Sequence, residues 1–183
     1  MAIIRIVTFI DDYSRFTWVH FLRSKEEIFH IFQTFVAYVE NQFSTCLKVL
    51  RSVSHKFQDF LQQKGFVSQR SCPYTPQQNG MAERKNHHLL GVVHTLLLES
   101  SVPSKFWVEA LSTAVYLINC FPSEVLEFVS PYYRLFGSHP SYQALYTFGY
   151  VCFVHLPSPE RHKLAAQSVQ CACLGYSSSL CML

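Results

Sequence analysis

The sequence predicts an α/β fold on three observations. Two runs rich in β-branched and aromatic residues, 3–10 (IIRIVTFI) and 16–22 (FTWVHFL), bracket a polar turn. A helical hydrophobic period sets in directly afterwards, from Ser24. Further on, a strand, a helix and a strand follow one another in the order of a right-handed parallel crossover.

Each element has its own reason. The first two runs read as a hairpin around Asp11-Asp12-Tyr13-Ser14-Arg15, with Asp11 and Asp12 as turn formers. In the next segment Ile28, Phe32, Phe35, Val36, Val39 and Phe43 fall at helical spacing, and Ser24 with Glu27 resembles a capping box. Residues 47–50 are a short apolar strand, 56–64 a helix that Gly65 ends, and 66–69 a second short strand. A long helix is expected over residues 79–99, with Leu89, Val92, Val93, Leu96 and Leu97 as its apolar stripe. Pro103 breaks the chain before another helix, residues 104–119. Beyond Phe121 the composition turns to proline, tyrosine and serine, and only local structure is expected before two strands. These are 148–156 (FGYVCFVHL) and 169–176 (VQCACLGY), a small appended β element.

Composition narrows the function classes. A chain of 183 residues, 49% hydrophobic and 15% charged, suits a globular domain with a short appendage and not a disordered tail. No apolar run nears the roughly 18 residues that span a bilayer. No signal-peptide succession opens the chain, so an intracellular location without a membrane partner is expected. The net charge of +3 is mild, so nucleic-acid binding must be argued from local clustering. Seven cysteines without a repeated C-x-x-C are expected to be free thiols. His162, Cys171 and Cys173 match no standard zinc spacing.

The stretch 73–86, PYTPQQNGMAERKN, carries the chemistry. It places Glu83 in the opening of the long helix, followed at once by Arg84 and Lys85. At 100° per residue Glu83, His87, Leu90 and His94 form one stripe bordering the apolar face, while Arg84 and His88 point further towards solvent. A carboxylate at such a rim, flanked by cations, suits a metal-bound, phosphate-handling site. The simpler alternative is that Glu83 complements the positive helix N-terminus and the cations form a solvated face. Residue chemistry alone favours the simpler one.

Four blocks add a resemblance: FIDDYSRFTWVHFL at 9–22, PYTPQQNGMAERKN at 73–86, FWVEALSTAVYLIN at 106–119 and CACLGYS at 171–177. In this order they resemble the integrase catalytic core of copia-type retrotransposon polyproteins. The resemblance implies an RNase H-like fold, a mixed five-stranded sheet with helices on both sides. It also implies insertion of element DNA by metal-assisted strand transfer. That chemistry uses two Asp and one Glu to hold two divalent ions, Mg²⁺ or Mn²⁺, which stabilise the attacking and leaving oxygens.

By the resemblance, Glu83 matches the family glutamate as catalytic and metal-binding residue. The two aspartates have no match. The strand LKVLRS at 47–52 runs straight into VSHKFQDFL, without the D-N-G-G-E turn that carries one of them. The other belongs to the family's first strand, which would precede Met1, so the first strand is expected to be missing from the sheet. That strand is central in the family, and its loss would leave unpaired edges or force a new pairing. Asp11 and Asp12 match a turn of the family and not its ligands, and Asp59 falls within a helix. A lone carboxylate leaves Mg²⁺ or Mn²⁺ mostly hydrated, so no strand transfer is expected.

The DNA-contacting part is better matched, at Gln77, Gln78, Asn79, Gly80, Arg84, Lys85 and His87, the last replacing the family's usual arginine. Amides and helix N–H groups satisfy phosphates while the cations add a salt-dependent, sequence-independent term. Residues 1–121 then read as a truncated core and 122–183 as a post-core region. DNA is the expected partner, with self-association left open and a nuclear location if the chain functions. Set against this reading is a non-catalytic DNA- or protein-binding module kept by a host, or a relic without function.

Overall fold

The computed structural model describes residues 5–52, 58–70, 80–143, 145–157, 166–176 and 181–182. The chain divides into two compact units, residues 1–9 with 18–84 and residues 10–17 with 85–183.

In the first unit β1 (Arg5–Ile10) pairs with β2 (Thr17–Leu22), as the β-branched runs predict. The helical period becomes α1 (Glu27–Phe43), which turns Phe32, Phe35 and Val36 into the core. Phe32, Val36, Leu61 and Phe66 form the buried centre, and Phe9, Ile28, Leu47, Leu50 and Phe60 pack against it. Phe9 stacks on Phe35 with ring centroids 4.2 Å apart, and Trp18 meets Phe35 edge-on at 5.2 Å. Burying each such side chain is worth about 1.5–3 kcal/mol, so this cluster is what holds the hairpin to α1. The capping box does not form. The helix starts later than the pattern suggests, at an N-cap of Glu26 without a side-chain bond, and the Glu27 carboxylate accepts instead from the Arg23 N–H at 3.0 Å.

The crossover follows as expected. β3 (Val49–Ser52) and β4 (Val67–Arg70) are parallel, with Val49 opposite Val67 and Arg51 opposite Gln69, joined through α2 (Gln58–Gln63). Gly65 ends the α2 segment in the left-handed conformation, φ +72°. Its N–H bonds to the Gln62 carbonyl and that of Phe66 to the Leu61 carbonyl, so the last helical carbonyls are satisfied. Among the described residues β1 pairs only with β2, and β3 only with β4. The strands of the expected mixed sheet are therefore present as two separate pairs.

In the second unit α3 (Gly80–Ser100), which enters it at Lys85, buries Leu89 and Val93 and half-buries Val92, Leu96 and Leu97. A 3₁₀ turn, Ser104–Phe106, leads into α4 (Trp107–Cys120), whose buried face is Ala110, Leu111, Thr113, Ala114, Asn119 and Cys120. A short helix that no hydrophobic period announces, α5 (Pro131–Phe136), starts where Ser130 accepts the Tyr133 N–H at 3.1 Å, with Pro131 in its first turn. Six residues are too few for a helical period to show. The β appendage consists of β5 (Val151–His155) antiparallel to β6 (Ser168–Ala172), and β7 (Gly175–Tyr176) antiparallel to β8 (Cys181–Met182). Gly149 enters it at φ +77°, and a Cβ there would collide with Ser100 Cβ, so both backbone and space require glycine.

Cys46, Cys120, Cys152 and Cys171 are free thiols as expected, whereas Cys173 is disulfide-bonded. An odd cysteine count requires one unpaired thiol and no more. No described helix is long and apolar enough to cross a membrane.

Candidate nucleic-acid interface

The residues singled out in the sequence fall in both units. Glu83 sits in the first turn of α3 and is exposed, as are Arg84, His87, His88 and His94. The stripe expected from the 100° rotation is therefore a surface stripe, with Leu90 exposed among its members. Arg84 folds back along the helix start, where a Cβ on Gly80 would lie 3.4 Å from its guanidinium. Gln77, Gln78 and Asn79 lie outside the described residues.

Lys85 stands apart from the other cations. It is half-buried in the second unit, and its ammonium donates to the Arg15 carbonyl at 3.4 Å. Burial first, and repulsion from Arg15 second, push its pKa down to about 8. Its spacing contains the reason: Lys85 precedes Leu89 by four residues and Val92 by seven, which puts it on the apolar stripe. That signal is legible in the sequence, but the cluster of cations draws attention away from it.

The turn that receives Lys85 is densely bonded. One Asp11 carboxylate oxygen accepts from the Ser14 N–H at 2.7 Å and from its hydroxyl at 2.6 Å. Asp12 pairs with Arg15 at 2.7 Å. Arg15 takes a left-handed φ of +61° and donates its N–H to the Asp11 carbonyl. Arg134 lies over the Tyr13 ring at 4.7 Å, and Phe16 meets Phe136 edge-on at 5.5 Å. Asn119 of α4 closes the unit. Its Oδ1 accepts the Thr17 N–H at 2.9 Å and its Nδ2 donates to the Thr17 carbonyl at 2.8 Å, both groups buried. Nothing local in the sequence distinguishes Asn119 from a surface amide.

A two-metal centre needs carboxylates that converge with free lone pairs. Asp11 and Asp12 are engaged in their turn, Glu83 is exposed, and among the described residues no three His, Cys, Asp or Glu side chains gather to hold a metal ion. The residues described do not fit such a centre. His20, in the first unit, lies edge-on to Phe9 at 5.6 Å, and its Nε2 is buried without a hydrogen-bond partner among the described residues. Burial lowers its pKa.

No family model matches the chain. It is similar to three retrovirus-related Pol polyproteins. It is 41% identical over 175 residues to that of transposon RE2 of Arabidopsis thaliana, covering 93% of this chain and 12% of the polyprotein. It is 37% identical to that of transposon RE1 of the same plant, with the same coverage. With that of transposon TNT 1-94 of Nicotiana tabacum it shares 40% over 176 residues, 93% of this chain and 13% of the polyprotein. The chain thus spans about an eighth of the length of these relatives. Among solved structures it superposes on a chain of the simian T-cell lymphotropic virus intasome in complex with the PP2A regulatory subunit B56 gamma. The TM-score is 0.57 and the identity 15%, over 93% of this chain and 62% of that one. This likeness supports the RNase H-like reading of the fold.

Proposed function

We propose, from the premise that this chain is an integrase-like fragment of a copia-type retrotransposon Pol polyprotein, that it binds DNA without carrying out strand transfer. In this reading residues 1–121 are the truncated core and 122–183 the post-core region. The observation that carries it is the ligand count. Glu83 stands exposed in α3, and Asp11 and Asp12 are engaged in turn hydrogen bonds and an ion pair. One carboxylate does not position two Mg²⁺ or Mn²⁺ ions for an in-line displacement. The remaining capacity is electrostatic. Arg84 and the start of α3 offer a charge and helix N–H groups to a phosphate, with Gln77, Gln78 and Asn79 leading in and His87 one turn on. Lys85 contributes less, since its ammonium is already engaged by the Arg15 carbonyl. A nuclear location follows if the DNA is chromosomal.

Two assays on the full chain test this. Incubation with an element-end duplex and Mg²⁺ or Mn²⁺ is expected to give no joined product. Fluorescence anisotropy of a labelled duplex is expected to show sequence-independent binding that weakens with salt. Arg84→Ala should weaken it uniformly across sequences and reduce the slope of log affinity against log salt by about 1. Metal-dependent joining overturns the catalytic half of the reading, and an unchanged slope in the variant overturns the binding half.

A further inference from the structure

We propose that Cys152 and Cys171 form a reversible cross-strand disulfide that staples the β5–β6 hairpin. The two residues are register partners on adjacent antiparallel strands, both are half-buried, and both are free thiols in the structure. The Cys152 sulfur lies 3.6 Å from the Cys171 carbonyl oxygen, so its side chain is directed across the ladder. The hydrogen bonds that bracket the ladder identify the kind of pair. Leu156 donates to Gln167, and Cys173 donates to Tyr150. Hydrogen-bonded pairs alternate with non-bonded ones, and counting in twos from either end reaches Cys152 with Cys171. Such a pair has its Cα atoms about 5.5 Å apart, within the span a disulfide bridges. Its Cβ atoms are about 5 Å apart and must close by about 1 Å, which makes the bond easier to reduce than an unstrained one.

The oxidant is a small-molecule disulfide of the glutathione class. One cysteine thiolate attacks it, breaking its S–S bond, and the departing thiolate takes up a proton. The second cysteine thiolate then attacks the protein-bound sulfur of the mixed disulfide, forming the cross-strand bond and releasing a second small thiol. The two cysteines lose two electrons and two protons, and the oxidant gains both.

The wild-type chain is equilibrated in glutathione buffers of graded redox poise, free thiols are blocked with iodoacetamide, and the unreduced digest is mapped by mass spectrometry. A peptide linking Cys152 to Cys171 is expected to rise as the buffer becomes more oxidising and to disappear on return to a reducing one. Cys152→Ser is expected to leave Cys171 alkylated or glutathionylated, and Cys46→Ser to leave the cross-link unchanged. The oxidised chain is also expected to melt roughly 5–10 °C higher, since the bond closes a loop of about 20 residues. The proposal is overturned if both thiols stay alkylated at a poise that glutathionylates exposed Cys46. It is equally overturned if Cys171 cross-links elsewhere, or if the bond forms without reversing.

Discussion

Asn119→Ala is expected to be among the more damaging single changes in the second unit. In the structure the Asn119 amide meets both the N–H and the carbonyl of Thr17, a residue 102 positions earlier, and Thr17 is 1% exposed. Truncation removes two hydrogen bonds, each worth about 0.5–1.5 kcal/mol net, and leaves two buried backbone groups to bear desolvation costs of about 1–3 kcal/mol each. A cost of about 3 kcal/mol follows if partial water entry relieves some of that penalty. With a urea slope of about 2 kcal/mol per molar, the midpoint falls by about 1.5 M. Urea titration followed by the fluorescence of Trp107, which lies on the same helix, reads this out in a Trp18→Phe background. Asn119→Asp sharpens the test. It keeps the acceptor for the Thr17 N–H but faces the Thr17 carbonyl with a second oxygen, so its loss should exceed that of alanine at neutral pH. The loss should partly recover in acid, where a protonated carboxyl again donates. If Asn119→Ala unfolds within about 0.5 kcal/mol of wild type, the clasp does not hold the turn to α4 and the reasoning fails.

Two further predictions concern pH. Burial lowers the pKa of His20, so the unfolded chain takes up the proton first as pH falls. The stability tied to neutral His20 is complete above about 6.5 and is lost as pH drops through the lower folded value. His20→Leu should be more stable than wild type in that acid window and lack this part of the decline, as thermal melts across it will report; parallel curves would refute it. Lys85 works in the alkaline range, with a folded pKa of about 8 against the ordinary lysine value of 10.5. Its burial penalty applies in full below about pH 8 and fades as pH rises towards 10.5, so Lys85→Met should gain on wild type near neutrality and lose that advantage in alkali. The difference between the two melting curves isolates Lys85 from the tyrosines and cysteines that titrate alongside it, and a difference independent of pH would count against the assignment.

The amino-acid sequence by itself determined the elements and their kind. Period-two and 3.6-residue patterns depend on neighbours a few positions away, so β1, β2, α1, the β3–α2–β4 crossover, α3 and α4 stand within a few residues of where those patterns put them. The same local logic made Asp11 and Asp12 turn formers, since turn chemistry depends on residues a few positions apart. Where local signals compete or are too short they misled or gave none. Ser24 and Glu27 have the spacing of a cap in front of a helix that starts later, and α5 is too short to show a period.

Tertiary structure alone decided which faces meet. It turned Lys85 from a surface cation into a half-buried donor to the Arg15 carbonyl. It made Asn119 the partner of Thr17 and set Cys152 opposite Cys171. Among the described residues it also left the strands as separate pairs. Each of these depends on contacts between segments far apart in the chain, whose energies come from burial and from satisfying buried polar groups once the elements have docked. Spacing along the sequence carries no record of those encounters.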